Sequence, residues 1–130
     1  MSEVLSVVAV VIERDNKLLV CQRPANKRHG LLWEFPGGKL EAEETFFEAA
    51  RRELFEELSL HVTTSGALLF TIRDEASGFQ INFLQVDATG EPTLNEHAAM
   101  KWCTLSELGE LDLAPSDRSF VEFLWMQKKH

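Results

Sequence analysis

Tyrosine is absent from the 130-residue chain, cysteine occurs only as Cys21 and Cys103, and there are only four prolines. The missing tyrosine excludes nothing. Two isolated thiols exclude a disulfide framework and a cysteine zinc site. Both lie in apolar stretches, LLVCQ and KWCTL, and are expected to be buried core thiols in a reducing, cytoplasmic setting. Positive charge is scarce as well. Thirteen Lys and Arg against 21 Asp and Glu leave a formal net charge of −8. That balance speaks against unaided binding to a nucleic-acid backbone or an anionic membrane. It leaves room for a small phosphorylated ligand, because bound divalent cations can reverse the sign of a local site. No basic stretch precedes the N-terminal apolar run, and the run is too short to span a bilayer, so no targeting or membrane segment is expected. Internal repeats, low-complexity tracts and linkers are also missing. One domain over residues 1–130 is therefore expected, as a monomer or homodimer.

What is present is ordinary core material: 45% hydrophobic residues, with nine Phe and three Trp. Residues 4–13 (VLSVVAVVIE) are β-branched and nearly continuous, as in a strand buried on both faces. RDNK makes a turn, and LLVCQR (residues 18–23) reads as a hairpin partner. LLWEF is a short strand, which Pro36 and the glycine pair are expected to stop. From Glu44 to Leu58 the period turns helical, with Phe47, Ala50, Leu54 and Leu58 on one stripe and Thr45 or Glu44 at the start. Residues 67–74, 79–88 and 100–105 read as further strands, and SELGEL as one helical turn. The closing helix begins near Pro115 or Ser116 and places Lys128 and Lys129 near its negative end. Strands on both sides of one strong helix, with a second helix at the end, predict an α/β fold with a mixed sheet between helices.

The segment GGKLEAEETFFEAARRELFEELSL, residues 37–60, holds seven glutamates. Glu53, Glu56 and Glu57 are spaced i, i+3 and i+4, which puts all three on one face of a helix. Like charges so placed repel by a few tenths of a kcal/mol, roughly, for each pair. A hard cation removes that penalty, and oxygen-only ligation suits Mg²⁺ or Mn²⁺ rather than zinc. Glu44 could reach the same ion from the preceding loop. Arg52 can hold a carboxylate through paired hydrogen bonds. Three glutamates alone would describe an ordinary salt-bridged helix face. The glycine turn before them, with Glu44 and Arg52 at fixed offsets, tips the balance toward a site.

In that arrangement the segment resembles the Nudix box, G-x5-E-x7-R-E-U-x-E-E-x-G-U, where U is bulky and apolar. Gly38, Glu44, Arg52, Glu53, Leu54, Glu56, Glu57 and Leu60 fall in register. Ser59 stands where the family usually has glycine, a position that shapes the exit from the helix. The resemblance extends to VVAVVIERDNKLLVCQRP, to LWEFPGGK and to the region from EHAAMKW to LAPSD, which look like the MutT-type branch and its CTP pyrophosphohydrolase relatives. It implies a Nudix-type α/β/α sandwich with the box as loop-helix-loop. It also implies an Mg²⁺-dependent enzyme, with Mn²⁺ as a substitute, that converts a nucleoside triphosphate to the monophosphate and pyrophosphate. Such an enzyme would clean the nucleotide pool of oxidised dGTP, or of cytidine and 5-substituted cytidine triphosphates. On that footing Glu53, Glu56 and Glu57 bind the metal, with Glu44 and the Gly38 carbonyl completing or supporting the site. Glu53 or Glu56 orients or deprotonates the water, and Arg52 orients the carboxylates.

Some family members take a further acid from the loop before the last strand, and here Glu96 is the candidate beside an ordinary loop-carboxylate reading. His97 next to it is read as structural. Arg23 and Lys39 are candidate phosphate contacts, and Arg23 reads equally as a surface arginine. Trp33 and Phe35 share one face of a strand, so either could stack on a base, although core packing is the plainer reading. Asp117 matches the place where MutT-type proteins carry an Asn that reads oxidised guanine and cytidine-preferring relatives carry Asp. A helix N-terminal acid is its alternative reading. An ADP-ribose hydrolase fits less well, because no proline lies between Pro36 and Pro92. A coenzyme A hydrolase fits only approximately. A non-catalytic nucleotide-binding module, or an acidic helix that binds protein, would lack metal-dependent pyrophosphate release.

Overall fold

The computed structural model describes residues 5–128; Val4 of the expected first strand and Lys129 of the expected last helix lie outside them. Strand β1 (Ser6–Val11) is followed by β2 (Glu13–Arg14) and β3 (Lys17–Gln22). Asp15 and Asn16 both take positive φ between β2 and β3, the two-residue hairpin turn that Asp and Asn favour. The hairpin partner of β3 is thus the short β2, while β1 belongs to another sheet. Next come β4 (Trp33–Glu34), β5 (Gly37–Lys39), α1 (Phe46–Leu58), β6 (His61–Arg73), β7 (Gln80–Thr89), β8 (Ala99–Cys103), α2 (Leu105–Gly109) and α3 (Pro115–Lys128).

The first sheet runs β5-β1-β7-β6, with β1 and β7 parallel and the other pairs antiparallel. The second is antiparallel, with β3 at its centre between β2, β4 and β8. Period-two alternation sorts the core into two layers. Val8 and Val10 of β1 and Leu84 and Val86 of β7 pack with Ala50, Leu54 and Leu58 of α1. Ala9 and Val11, with Phe83, face Phe120 and Val121 of α3 on the other side. This is the α/β/α sandwich with a mixed sheet. Cys21 and Cys103 are buried and unpaired. No helix among the described residues is long and apolar enough to cross a membrane.

Two strand boundaries depart from the sequence reading. The glycine pair does not stop the chain after LLWEF; Gly37–Lys39 is itself a strand, antiparallel to β1. Gly37 is required there. Its φ is +149°, and a Cβ would lie 1.9 Å from the Val8 carbonyl oxygen. Strand β6 also begins earlier than expected, at His61, because its first half is an exposed, irregular edge without a clean apolar alternation.

Candidate active site

Helix α1 starts at a reciprocal cap. Glu48 N–H donates to Thr45 Oγ1 at 3.1 Å, and Thr45 N–H donates to Glu48 Oε1 at 2.9 Å. The helix then carries its acids past the loop formed by residues 40–45. Arg52 ties the two together. Its Nε and Nη2 both donate to the Glu44 carboxylate at 2.8 Å, Nη1 donates to Glu53 Oε1 at 2.7 Å, and Nη2 reaches the Lys39 carbonyl at 3.0 Å. Arg52 holds the Glu44 carboxyl down to about 2. Glu56 stays half exposed, 3.7 Å from Arg52.

Glu57 differs from its neighbours. Its side chain is only 6% exposed. Burial first, and then a hydrogen bond with Glu53, push its carboxyl well above the usual carboxylate range. Glu53 and Glu57 line an acid hollow of about 280 Å³ together with Glu34, Glu96, His97 and Arg23. Glu34 accepts from Arg23 Nη1 at 2.9 Å, and its other oxygen lies 3.1 Å from His97 Nε2, which is 3.7 Å from Glu57 Oε1. Gly38 lies directly against the Glu53 carboxylate, where a Cβ would fall 2.6–2.7 Å from its carbon and oxygens. Among the described residues, no three His, Cys, Asp or Glu side chains stand ready around one point as a ligand set. The donors nevertheless suit a hard dication: all are carboxylate oxygens, one is buried beside a like charge, and a glycine leaves room for them.

A second hollow of about 420 Å³ adjoins the first and shares Arg23, Glu34 and Gly37 with it. Phe35, Lys39, Phe79 and Asp117 contribute to its walls. Asp117 Oδ1 accepts from the Phe35 N–H at 2.9 Å, and burial pushes its carboxyl up to about 8. The turn between β6 and β7 reaches the same wall, where Ser116 Oγ donates to Asp74 Oδ1 at 3.0 Å.

The residues singled out from sequence therefore divide. Glu53, Glu57, Glu96 and Arg23 meet at the acid hollow, and Gly38 lies beneath Glu53. Lys39 and Asp117 belong to the larger hollow, and the Lys39 ammonium lies 4.9 Å from the Phe79 ring centroid. Phe35 borders that hollow but is 3% exposed and packed edge-on to Phe83 and Phe120. Trp33 lines neither hollow; it is 8% exposed in the core, with Lys101 Nζ 5.1 Å from its ring centroid. Glu44 is turned onto Arg52. Sequence reasoning passed over Glu34, although strand alternation places it opposite Trp33 and Phe35. The His97 side chain is only 7% exposed, as that of a structural residue would be, yet it bridges two acids. No signal in the sequence pointed to Asp74 or Phe79.

Known proteins resemble this chain in sequence and fold. The model of the family described as the NUDIX domain matches residues 3–124. The chain belongs to the Nudix family. It is 39% identical over 123 residues to the CTP pyrophosphohydrolase of Escherichia coli K12, a match spanning 92% of this chain and 90% of that protein. The solution structure of the E. coli ORF135 protein superposes with a TM-score of 0.81 at 37% identity, over 96% of this chain and 91% of that one. The crystal structure of a MutT Nudix hydrolase from Burkholderia pseudomallei gives 0.76 at 26% identity, over 93% and 98% of the two chains. The protein is thus a Nudix hydrolase, and enzymes of this family generally depend on a divalent metal.

Proposed function

We propose that this Nudix hydrolase cleaves a nucleoside triphosphate with water to give the monophosphate and pyrophosphate, that Mg²⁺ is its working ion with Mn²⁺ as a substitute, and that it acts on the cytoplasmic nucleotide pool with a preference for cytidine-type bases. One observation carries the reading. An acid hollow and a base-sized hollow share Arg23, Glu34 and Gly37 as a common wall, so one triphosphate can span both.

In this reading Glu53, Glu56 and Glu57 hold the ion, supported by the Gly38 carbonyl and Glu96. A divalent ion bound there screens the triphosphate and stabilises charge on the leaving pyrophosphate. Glu53 or Glu56 accepts the proton of the attacking water. Arg52 fixes the Glu53 oxygen through its 2.7 Å bond and keeps Glu44 against the loop. Arg23 and Lys39 meet phosphate oxygens. Asp117 supports the base preference. A carboxyl with its proton held up to about 8 is mainly neutral at pH 7 and offers one donor and one acceptor. Cytosine presents a ring acceptor beside an amino donor, the complement of that pair. Guanine presents two donors there and calls for the ionised form. The similarity to a CTP pyrophosphohydrolase agrees with this.

The test is a panel of CTP, dCTP, 5-substituted cytidine triphosphates, dGTP and oxidised dGTP, with ADP-ribose and coenzyme A as controls, in Mg²⁺ with products separated by chromatography. Monophosphate and pyrophosphate from the cytidine compounds at the highest kcat/KM are expected. Release of inorganic phosphate and a diphosphate, or no turnover in Mg²⁺, refutes the reaction. A clear preference for oxidised dGTP refutes the base assignment alone.

A further inference from the structure

The last carbonyls of α1 have no partner within the helix, as at any helix C-terminus. Here a distant loop supplies the donors. Thr93 N–H donates to Leu58 O at 2.8 Å and Asn95 N–H to Glu57 O at 3.1 Å. The Asn95 side-chain amide adds a bond to Glu56 O at 3.0 Å and a second to Ser59 Oγ at 3.1 Å. Ser59 is the residue that replaces the family glycine. It holds the left-handed conformation, φ 57° and ψ 29°, which costs a non-glycine residue roughly 1–2 kcal/mol. In exchange it offers a hydroxyl that glycine lacks.

Three residues further on, Ala98 N–H donates to Gln22 O of β3 at 2.9 Å. The loop is therefore pinned at both ends, on α1 and on β3. Glu96 and His97 are the two residues between the pins, and both line the acid hollow with Glu53 and Glu57. We infer that Asn95 is a positioning residue: it clamps this loop to the end of α1 and thereby carries Glu96 across to Glu53 and the buried Glu57, completing the oxygen set of the hollow. The inference rests on the proposed metal role of that hollow.

Asn95 does not line the hollow, so it acts through Glu96. Outer partners of a metal site typically change metal affinity or activity by about 10–100-fold. The clamp is exposed, which places its effect at the lower end of that range.

The test is a double-mutant cycle on Asn95→Ala, Glu96→Gln and the pair, read by Mn²⁺ binding in electron paramagnetic resonance and by kcat and KM for the nucleotide. Asn95→Asp serves as a second variant that keeps the side-chain shape while removing its donors. Melting curves accompany all four. Asn95→Ala and Asn95→Asp are each expected to weaken Mn²⁺ binding roughly tenfold. They should lower kcat more than they change KM, with the melting midpoint little moved because the backbone bonds of Thr93 and Asn95 remain. The double variant is expected to bind Mn²⁺ no worse than Glu96→Gln, within about twofold, since both substitutions remove one contribution. Additive losses, an Asn95→Ala protein with wild-type Mn²⁺ affinity, or a Glu96→Gln protein with wild-type Mn²⁺ affinity would each overturn the inference while leaving the metal role of Glu53, Glu56 and Glu57 intact. A wild-type protein that binds no Mn²⁺ overturns both.

Discussion

Gly37 and Gly38 are adjacent, yet replacing each with alanine is expected to fail in a different way. At Gly38 the added Cβ would meet the Glu53 carboxylate at 2.6–2.7 Å. Ordinary carbon contacts begin near about 3.5 Å, so the carboxylate must retreat by about 0.9 Å. It is the far end of a flexible side chain, so the fold can accommodate the move. The site cannot, because the same oxygens take the 2.7 Å bond from Arg52 and face the acid hollow. A misplacement of about 1 Å can cost on the order of 100-fold in rate. Gly38→Ala is therefore expected to melt within a few degrees of wild type while kcat/KM for Mg²⁺-dependent pyrophosphate release falls about 100-fold, or ~2.7 kcal/mol of transition-state stabilisation. At Gly37 the Cβ would lie 1.9 Å from the Val8 carbonyl oxygen, a backbone atom inside the sheet, at a φ that other residues rarely adopt. Gly37→Ala should cost roughly 3 kcal/mol from overpacking and strain together, lowering the melting midpoint by about 10 °C. Pyrophosphate assays and melting curves on both proteins decide the matter. A Gly38→Ala enzyme within threefold of wild type, in a protein where Glu53→Gln is inactive, would refute the placement of Glu53 against Gly38.

Glu57→Gln removes a buried carboxyl that sits beside Glu53, so its melting midpoint is expected to match or exceed that of wild type. Its activity should drop by at least about 100-fold, beyond the lower effects typical of outer partners of a metal site, and unchanged activity in a metal titration would remove Glu57 from the site. Asp117 binds its proton more tightly folded, near pH 8, than unfolded, near pH 4. Its stabilising contribution is therefore complete below about pH 4 and lost as pH rises through about 8. Asp117→Asn should flatten that decline, so the melting midpoint of the variant minus that of wild type should grow between pH 5 and pH 9; a constant difference would contradict the buried carboxyl. The same variant keeps one donor and one acceptor toward the base, so KM for CTP at pH 7 should stay within about threefold of wild type, and a large rise would argue that the ionised carboxylate reads the base. Phe120 is fully buried and stacks on Phe83 at 4.3 Å, so Phe120→Ala should cost about 3–5 kcal/mol in chemical denaturation.

Where the sequence carried a strong period, the fold could be read from it. The apolar stripe of α1 lies where its spacing put it, and Thr45 caps the helix as its chemistry requires. The alternation of β1 does more than mark a strand: even positions face α1 and odd positions face α3, so the run has to be apolar on both sides. Pro36 and the glycine pair read as a stop because glycine and proline usually punctuate strands; the chain does break after Glu34 but resumes as a strand at Gly37. Here the glycine is demanded by close approach to Val8, a constraint set by the neighbouring strand. The start of β6 was hidden for the opposite reason, since an exposed edge needs no apolar period. At the site, the acids of α1 were visible because a helix fixes their relation locally. Glu34, Asp74 and Phe79 were not, because what brings them to the cleft is pairing between segments far apart in sequence.

The distribution of charge within the acid cluster bears on how the site can be both stable and reactive. Arg52 pairs with Glu41, Glu44 and Glu53 and touches Glu56, so one cation holds four acids of the loop and helix. Glu57 lies beyond its reach. The nearest basic group to Glu57 among its ion-pair partners is His97 at 3.7 Å, and Glu34 competes for that ring at 3.1 Å. A buried carboxylate without a full partner is costly, and Glu57, to which neither Arg23 nor Lys27 of the same hollow is paired, answers by retaining the proton. The fold therefore keeps the cluster assembled through Arg52 while leaving its most buried member under-compensated in the acid hollow. A hard dication carrying its own phosphate ligands fits that deficit. A lysine introduced against Glu57 should, on the proposed metal role, stabilise the cleft and weaken ion binding together, the trade expected where a site gives up local stability to hold a ligand.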